Sequence, residues 1–225
     1  MAGTNRLALY QSALLLCGER FLASLTENVE SRRLLDNVWN EQNAVQYCLE
    51  QGMWQFAMRT DKIDNDPSVE TQFGYRYAFD KDTDWVNTAA ICSDEYFTTP
   101  LTRFADETVY WFADITPIFV KYVSNSTQYG YNLGIWPQTF SDYVSAFLSS
   151  RIIAKLTSDE RRLDYILNPK TGMLAQKLAL AKSKACMTQP TQFPAIGTWV
   201  RSRRGLGRGW GPLGDGGLGG QLIGP

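Results

Sequence analysis

Apolar residues open the chain at helical spacing, with Leu7, Tyr10, Leu14 and Cys17 on one stripe. The stripe predicts a helix over residues 5–17, stopped at Gly18, a residue favoured just beyond a helix C-terminus. This apolar run is short and meets Gly18, Glu19 and Arg20 at once. An amphipathic helix is therefore expected there rather than a signal peptide. A second helix is predicted over residues 29–51. Asn28 would be its N-cap, Glu30 would complement the helix dipole, and Leu35, Val38, Val45, Cys48 and Leu49 would form its apolar face. Gly52 would end it.

The period then changes from helical to alternating. Residues 54–58, 75–79, 85–92, 109–112 and 118–123 are short runs rich in aromatic and β-branched side chains, separated by Asp, Asn, Pro and Gly. They read as about five short strands. No helical pattern lies between them, so a mostly antiparallel sheet or small barrel is expected.

Helical spacing returns after Trp136-Pro137. Phe140, Tyr143, Val144, Phe147, Leu148 and Ile152 form a broad stripe that continues to Leu156. Pro137 suits the first turn of that helix. The run Thr157-Ser158-Asp159-Glu160 resembles a capping box and opens a short helix to Leu167. Asn168-Pro169 interrupts, and a last helix is expected over residues 170–186. Gln189-Pro190 and Phe193-Pro194 then oppose further helix. The predicted class is α+β: an antiparallel helical bundle interrupted by a β-rich insertion, with an extended C-terminal arm. The expected divisions are 1–53 and 135–188 for the bundle, 54–134 for the insertion and 189–225 for the Pro/Gly-rich arm.

Composition removes several chemistries. The chain of 225 residues contains no histidine, which excludes Ser-His-Asp and Cys-His catalysis and any His-ligated zinc. Its four cysteines, Cys17, Cys48, Cys92 and Cys186, form no CxxC pair, so free thiols of a reducing compartment are expected. The sequon Asn125-Ser126-Thr127 is then incidental. No run reaches the roughly 20 apolar residues of a membrane span. Formal charge is −1, and residues 199–225 carry four arginines and one aspartate, which leaves −4 on the rest. An acidic body is a poor general binder of nucleic acid.

Three motifs have a chemical reading and a plainer one. Asp80-Lys81-Asp82-Thr83-Asp84 opens like a calcium loop, but Trp85 and Ile91 stand where an EF-hand needs Gly and Glu. A solvated turn is the better reading. Asp94, Glu95, Asp106, Glu107 and Asp114 offer carboxylates for glycoside hydrolysis, which requires two of them across a cleft; solvated acidic loops are the expectation. Trp85, Tyr96, Phe97, Tyr110, Trp111 and Phe112 suit a sugar platform or, more simply, a sheet core. No metal and no cofactor are expected.

The end of the chain, RSRRGLGRGWGPLGDGGLGGQLIGP, invites two readings. Gly209-Trp210-Gly211-Pro212-Leu213-Gly214 matches the letters of a dinucleotide loop but lacks its strand–helix context. The arginines suggest a nucleic-acid tail, while apolar anchors spaced through glycine suit an extended arm laid on a protein surface. The anchors favour the arm. Its expected partner-binding residues are Trp199, Arg201, Arg203, Arg204, Arg208, Trp210, Leu213, Leu218, Leu222 and Ile223.

Two runs carry a family resemblance. ALLLCGERFLASLTENVESRRLLDNVWN and CLEQGMWQFAMRT resemble the N-terminal region of the podovirus tail tubular protein A family, the head-to-tail adaptors. The shared features are an early helix ending in Gly18-Glu19, a Leu-containing connection at residues 22–25, and a second helix running into Gly52-Met53-Trp54-Gln55-Phe56. The likeness continues at Asp94-Glu95-Tyr96 and in the helix after Trp136-Pro137, whereas the glycine-rich arm lies outside it. The resemblance implies a virion protein assembled in the host cytoplasm. It implies a homo-oligomeric, dodecameric ring held between portal protein and tail nozzle protein, with genome DNA crossing the lumen without sequence-specific binding and no membrane partner. An acidic body suits a channel through which DNA slides. Two alternatives remain open: an adaptor that also hydrolyses peptidoglycan through carboxylates, and a nucleic-acid binder acting through the Arg/Gly tail.

Overall fold

The computed structural model describes residues 5–188, apart from Gln72 and Ser158. The ten residues expected to bind a partner, from Trp199 to Ile223, lie outside the described residues, as does the whole arm. Within them the fold is α+β. Helices α1 (Arg6–Cys17), α2 (Glu30–Asn40) and α3 (Ala44–Glu50) precede six strands, and helices α4 (Gln138–Leu156), α5 (Glu160–Leu167) and α6 (Met173–Met187) follow them.

Helix α1 starts and stops as its sequence predicts. The Asn5 side chain accepts the Ala8 amide at 2.7 Å. Gly18 takes the left-handed conformation with φ 73°, and its amide reaches the Leu14 and Leu15 carbonyls. A second constraint acts on Gly18: a Cβ there would lie 1.9 Å from Arg162 Nη1. That same nitrogen donates to the Cys17 carbonyl at 2.8 Å, placing a cation at the negative end of α1.

The single helix expected over residues 29–51 is two helices. Residues 40–43, Asn-Glu-Gln-Asn, offer no apolar side chain to the core. The Glu41 and Gln42 amides both turn to the Asn37 carbonyl, and Asn43 sits at φ 46°. Asn tolerates that left-handed conformation, which reverses the chain between α2 and α3. Asn28 is not a cap. Val29 occupies the N-cap position, while Asn28 accepts a bond from Arg33 at 2.6 Å. Likewise Asp159, not Thr157, caps α5, accepting the Arg161 amide at 3.0 Å, and Thr157 Oγ1 instead accepts the Asp159 amide at 3.2 Å. Pro137 stands at the N-cap of α4, one residue before the first turn.

The strands are β1 (Met58–Ile63), β2 (Tyr77–Asp80), β3 (Trp85–Cys92), β4 (Phe104–Asp106), β5 (Tyr110–Ala113) and β6 (Ile118–Ser124). They form two antiparallel three-stranded sheets, ordered β1-β6-β3 and β2-β5-β4. Residues 54–58, expected as a strand, instead begin with a 3₁₀ turn at Gln55–Ala57, because Trp54 turns inward to the helices. Strand β4 was hidden by its length of three residues.

Strand β6 divides two cores. Ile118, Val120 and Tyr122 point into a core lined by Phe79, Ile91, Trp111 and Ala113 from both sheets. Val123, on the opposite face, joins a larger core made chiefly by the helices. Period-two alternation lets one strand serve both. Helix α4 is the axis of the larger core, with Phe140, Tyr143, Val144, Phe147, Leu148, Ile152 and Ile153 all buried. Ser141, Ser145 and Ser149 are buried as well. Their small side chains admit α1 closely, with Cys17 Sγ 3.8 Å from the Ser149 carbonyl. The Ser145 and Ser149 hydroxyls donate to the carbonyls of Ser141 and Ala146.

Candidate docking site

A groove opens where the turn after Gly52 meets the start of α4 and the end of α6. Its floor is aromatic. Trp54 is buried, and its Nε1 donates to the Cys48 and Leu49 carbonyls at 3.1 and 3.0 Å. This satisfies the C-terminus of α3 and locks the indole against the bundle. The Phe140 ring meets Trp54 and Phe56 with centroids 4.8 Å apart in each case, and Trp136 packs edge-on against Phe140 at 4.9 Å. Above this floor lies an open volume of about 270 Å³, walled by Pro137, Thr139, Ala181 and Ala185, with Gln55, Lys184 and Thr188 at its polar margin. Alanines on the facing side of α6 leave the space open. The sequence signal for this groove was Gly52-Met53-Trp54-Gln55-Phe56, whose alternation imitates a strand.

The sequence's other chemistry-bearing residues are engaged by the protein itself. Arg59 on β1 reaches Asp61 at 2.7 Å and Asp84 at 3.0 Å, and lies over the Tyr122 ring directly across the ladder. The Tyr122 hydroxyl donates to Asp82 at 2.7 Å and Asp84 at 3.1 Å, and Ser124 donates to Asp84 at 2.5 Å. Burial alone raises the Asp84 carboxyl. The bonds from Ser124 and Tyr122 and the Arg59 charge outweigh it, leaving its pKa below the usual carboxylate range. Asp82 and Asp84 thus serve as acceptors that tie the β2–β3 turn to β1 and β6.

In the acidic loops, Asp94 and Asp106 are each held by neighbouring groups of the protein. Asp94 accepts from the Thr98 hydroxyl and from the Thr98 and Thr99 amides. These bonds, the Thr98 hydroxyl foremost, lower its pKa, the direction opposite to a general acid's requirement. Asp106 accepts from Lys81 at 2.5 Å, whose ammonium lies 3.5 Å from the Trp85 ring centroid and 5.3 Å from that of Trp111. Among the described residues, no group of three or more Cys, Asp or Glu is placed to hold a metal ion. The six aromatics weighed as a sugar platform are divided. Trp111 and Phe112 are buried, whereas Tyr96 is 78% exposed at the tip of a loop where Phe97 takes φ 56°.

Cys17, Cys48 and Cys92 are buried free thiols and Cys186 is exposed. Burial pushes the Cys17 thiol up to about 11, with Glu19 adding to the shift, so it packs as a small apolar group. Asn125, first residue of the sequon, donates to Gln46 at 2.8 Å and belongs to the turn joining β6 to the bundle. No helix among the described residues is long and apolar enough to cross a membrane.

No family model matches the chain, and no curated protein matches it.

Proposed function

We propose that this protein is a structural component of a short-tailed phage virion, a head-to-tail adaptor that forms a ring between portal and tail nozzle. The observation that carries the reading is the Gly18-Glu19 and Gly52-Met53-Trp54-Gln55-Phe56 pair of motifs, together with the helix–β–helix order around them. Both motifs occupy joints of the fold. Gly18 ends α1 against Arg162, and Trp54 binds the end of α3 at the passage from bundle to sheets. Two further features support it. Residues 1–198 carry a formal −4, which favours passage of DNA over gripping it. The arm of residues 189–225 intersperses apolar anchors with glycine, a composition suited to repeated docking in a ring, where avidity multiplies weak contacts.

The test is negative-stain microscopy of the purified chain mixed with the portal protein of the same virus. Rings seated on the portal are the expected result. A particle that stays monomeric and leaves the portal bare overturns the proposal. The hydrolase alternative gains nothing from Asp94 or Asp106, each tied to a neighbouring side chain.

A further inference from the structure

We infer that the outer face of α6 on one copy of this chain docks on the acidic end of the second sheet, where β2 stops beside the β4–β5 hairpin, of a second copy. The inference deepens the ring reading above by naming the subunit–subunit contact, and it rests on that reading for the closure of the ring. Helix α6 packs Leu174, Leu178, Ala181 and Ala185 against the larger core, at the three- and four-residue steps of a single helix face. Its other side leaves Leu180 57% and Met187 77% exposed. Lys184 stands on the same stripe, four residues after Leu180 and three before Met187, and Lys182 flanks it. Both lysines are exposed. Lys177 is taken by Asp142 at 2.9 Å, but no carboxylate follows Asp164 up to residue 188. The outer face is therefore apolar with a purely cationic rim.

The complement lies in the β-rich part of the same chain. Residues 58–134 carry twelve carboxylates against six lysines and arginines. Asp80 pairs with Tyr110 across the β2–β5 ladder. The Lys81 amide donates to the Val109 carbonyl at 3.0 Å, and the Glu107 amide to the Tyr110 carbonyl at 3.0 Å. These bonds bring Asp80 and Glu107 to one end of the sheet. The two nearby cations are already committed, Lys81 to Asp106 and Arg59 to Asp61 and Asp84. Asp80 and Glu107 stay exposed, beside a Val109 that is itself 56% exposed. Each surface thus has an exposed apolar centre and a charged rim, which is the anatomy of a protein interface. The two rims have opposite signs.

Charge and exposure together select a second copy. Both surfaces are uncovered in one and the same folded subunit, so a subunit does not pair its own α6 with its own hairpin. The rest of the chain offers α6 no acidic partner either: residues 189–225 carry four arginines and one aspartate, the same sign as the α6 face. Duplex DNA would answer the lysines, but it meets a formal −4 over residues 1–198, which repels it. A second copy supplies the missing carboxylates in a fixed place. Two different surfaces then meet in a heterologous contact, which generates a ring when its rotation closes. Each rim pair contributes orientation more than affinity, and repetition round the ring multiplies a weak contact.

The experiment uses the full chain and two double variants, Lys182→Glu with Lys184→Glu, and Asp80→Lys with Glu107→Lys. All four positions are exposed, so both variants should keep the wild-type circular dichroism. Self-association is followed by sedimentation, on the protein alone and on its mixture with portal. Each variant by itself is expected to associate roughly tenfold more weakly than the native chain. An equimolar mixture of the two should recover association, because unlike copies then share one native and one charge-reversed contact. A mixture no better than either variant overturns the inference, as does unchanged association of either one. The native chain gives a check that needs no variant: its association should fall roughly tenfold between about 0.05 M and 0.5 M salt, and association indifferent to salt overturns the inference. Titration with a labelled DNA duplex covers the other occupant. Loss of duplex binding by the α6 variant with self-association intact assigns the face to nucleic acid and overturns the inference. Portal-seated rings formed as readily by either variant alone refute this contact and leave the adaptor reading standing. Recovery on mixing in a protein that ignores the portal does the reverse.

Discussion

The core among the helices and the core between the sheets are held by different forces. The larger one buries carbon: Tyr10, Leu14, Leu35, Leu49, Trp54, Phe140 and Val144 are all nearly or fully enclosed. Its main ion cluster, Asp36 with Arg6 and Arg32 at 2.6 Å each, lies at the margin between α1 and α2. The smaller core has ionised groups against its rings. The Lys81 side chain is 4% exposed, over the Trp85 ring and bound to Asp106, and Arg59, Asp82 and Asp84 surround the Tyr122 hydroxyl. A six-stranded module with strands of three to eight residues has little area for apolar burial. Charge-assisted bonds across its turns supply orientation that hydrophobic burial, being non-directional, does not.

This contrast predicts different sensitivities, readable by region through amide exchange. The largest effect is expected at Trp54. Trp54→Ala removes the groove floor and the two bonds that close α3, and should cost about 3–5 kcal/mol in urea unfolding, with protection lost first in α3 and α4. Equal loss in β5 and β6 would mean that the two cores unfold as one.

The next effect belongs to the β core. Asp84→Asn should cost about 2 kcal/mol, the value of lost charge-assisted bonds discounted for the side that faces water. The folded-state pKa of Asp84 is depressed, so its contribution is present above the unfolded carboxylate value of about 3.9 and is lost as pH falls below it. Amide protection in β1, β3 and β6 should therefore decline as pH falls below about 4 in the native chain, and that pH dependence should weaken in the variant. The helical core should hold through the same interval. A variant whose β strands keep the native acid profile would remove the electrostatic half of the contrast.

The smallest effect tests a joint within the helical half. Gly18→Ala must adopt φ 73° and displace Arg162, and should cost about 1–2 kcal/mol at every pH. Calorimetry at pH 7 and pH 4 would check it, and a cost confined to one pH would point to a titrating carboxylate instead of the backbone, since arginine keeps its charge at both.

Legibility varied with how local each signal was. The end of helix α1 was readable to the residue and its start to within one, Asn5 being its N-cap and not its first residue, since Asn5 and Gly18 act on amides and carbonyls within one turn of themselves. The break at residues 40–43 was overlooked because Leu35, Val38, Val45 and Cys48 keep helical spacing across it, while the reversal depends on Asn43 adopting a left-handed φ. Ser141, Ser145 and Ser149 fall outside the apolar stripe read for α4. Their burial follows from the close approach of α1, which no property of α4 alone announces. The expected binding residues of the arm lie outside the described chain, and the groove was legible only as five letters of motif. Trp54, Phe140 and Ala181 are far apart in sequence and become one surface through packing.

The chain's own letters determined the α+β class, the order of its elements, the absence of histidine chemistry and the unequal distribution of charge. These follow from residue type and short-range spacing, which act before any long-range contact forms. Tertiary structure alone decided that β6 would serve two cores, that Asp82 and Asp84 of the DxDxD run would meet Arg59 and Tyr122, and that three aromatic rings would floor an open groove. Each of those outcomes depends on which distant surfaces meet, and burial energy sets that choice over the whole molecule rather than residue by residue.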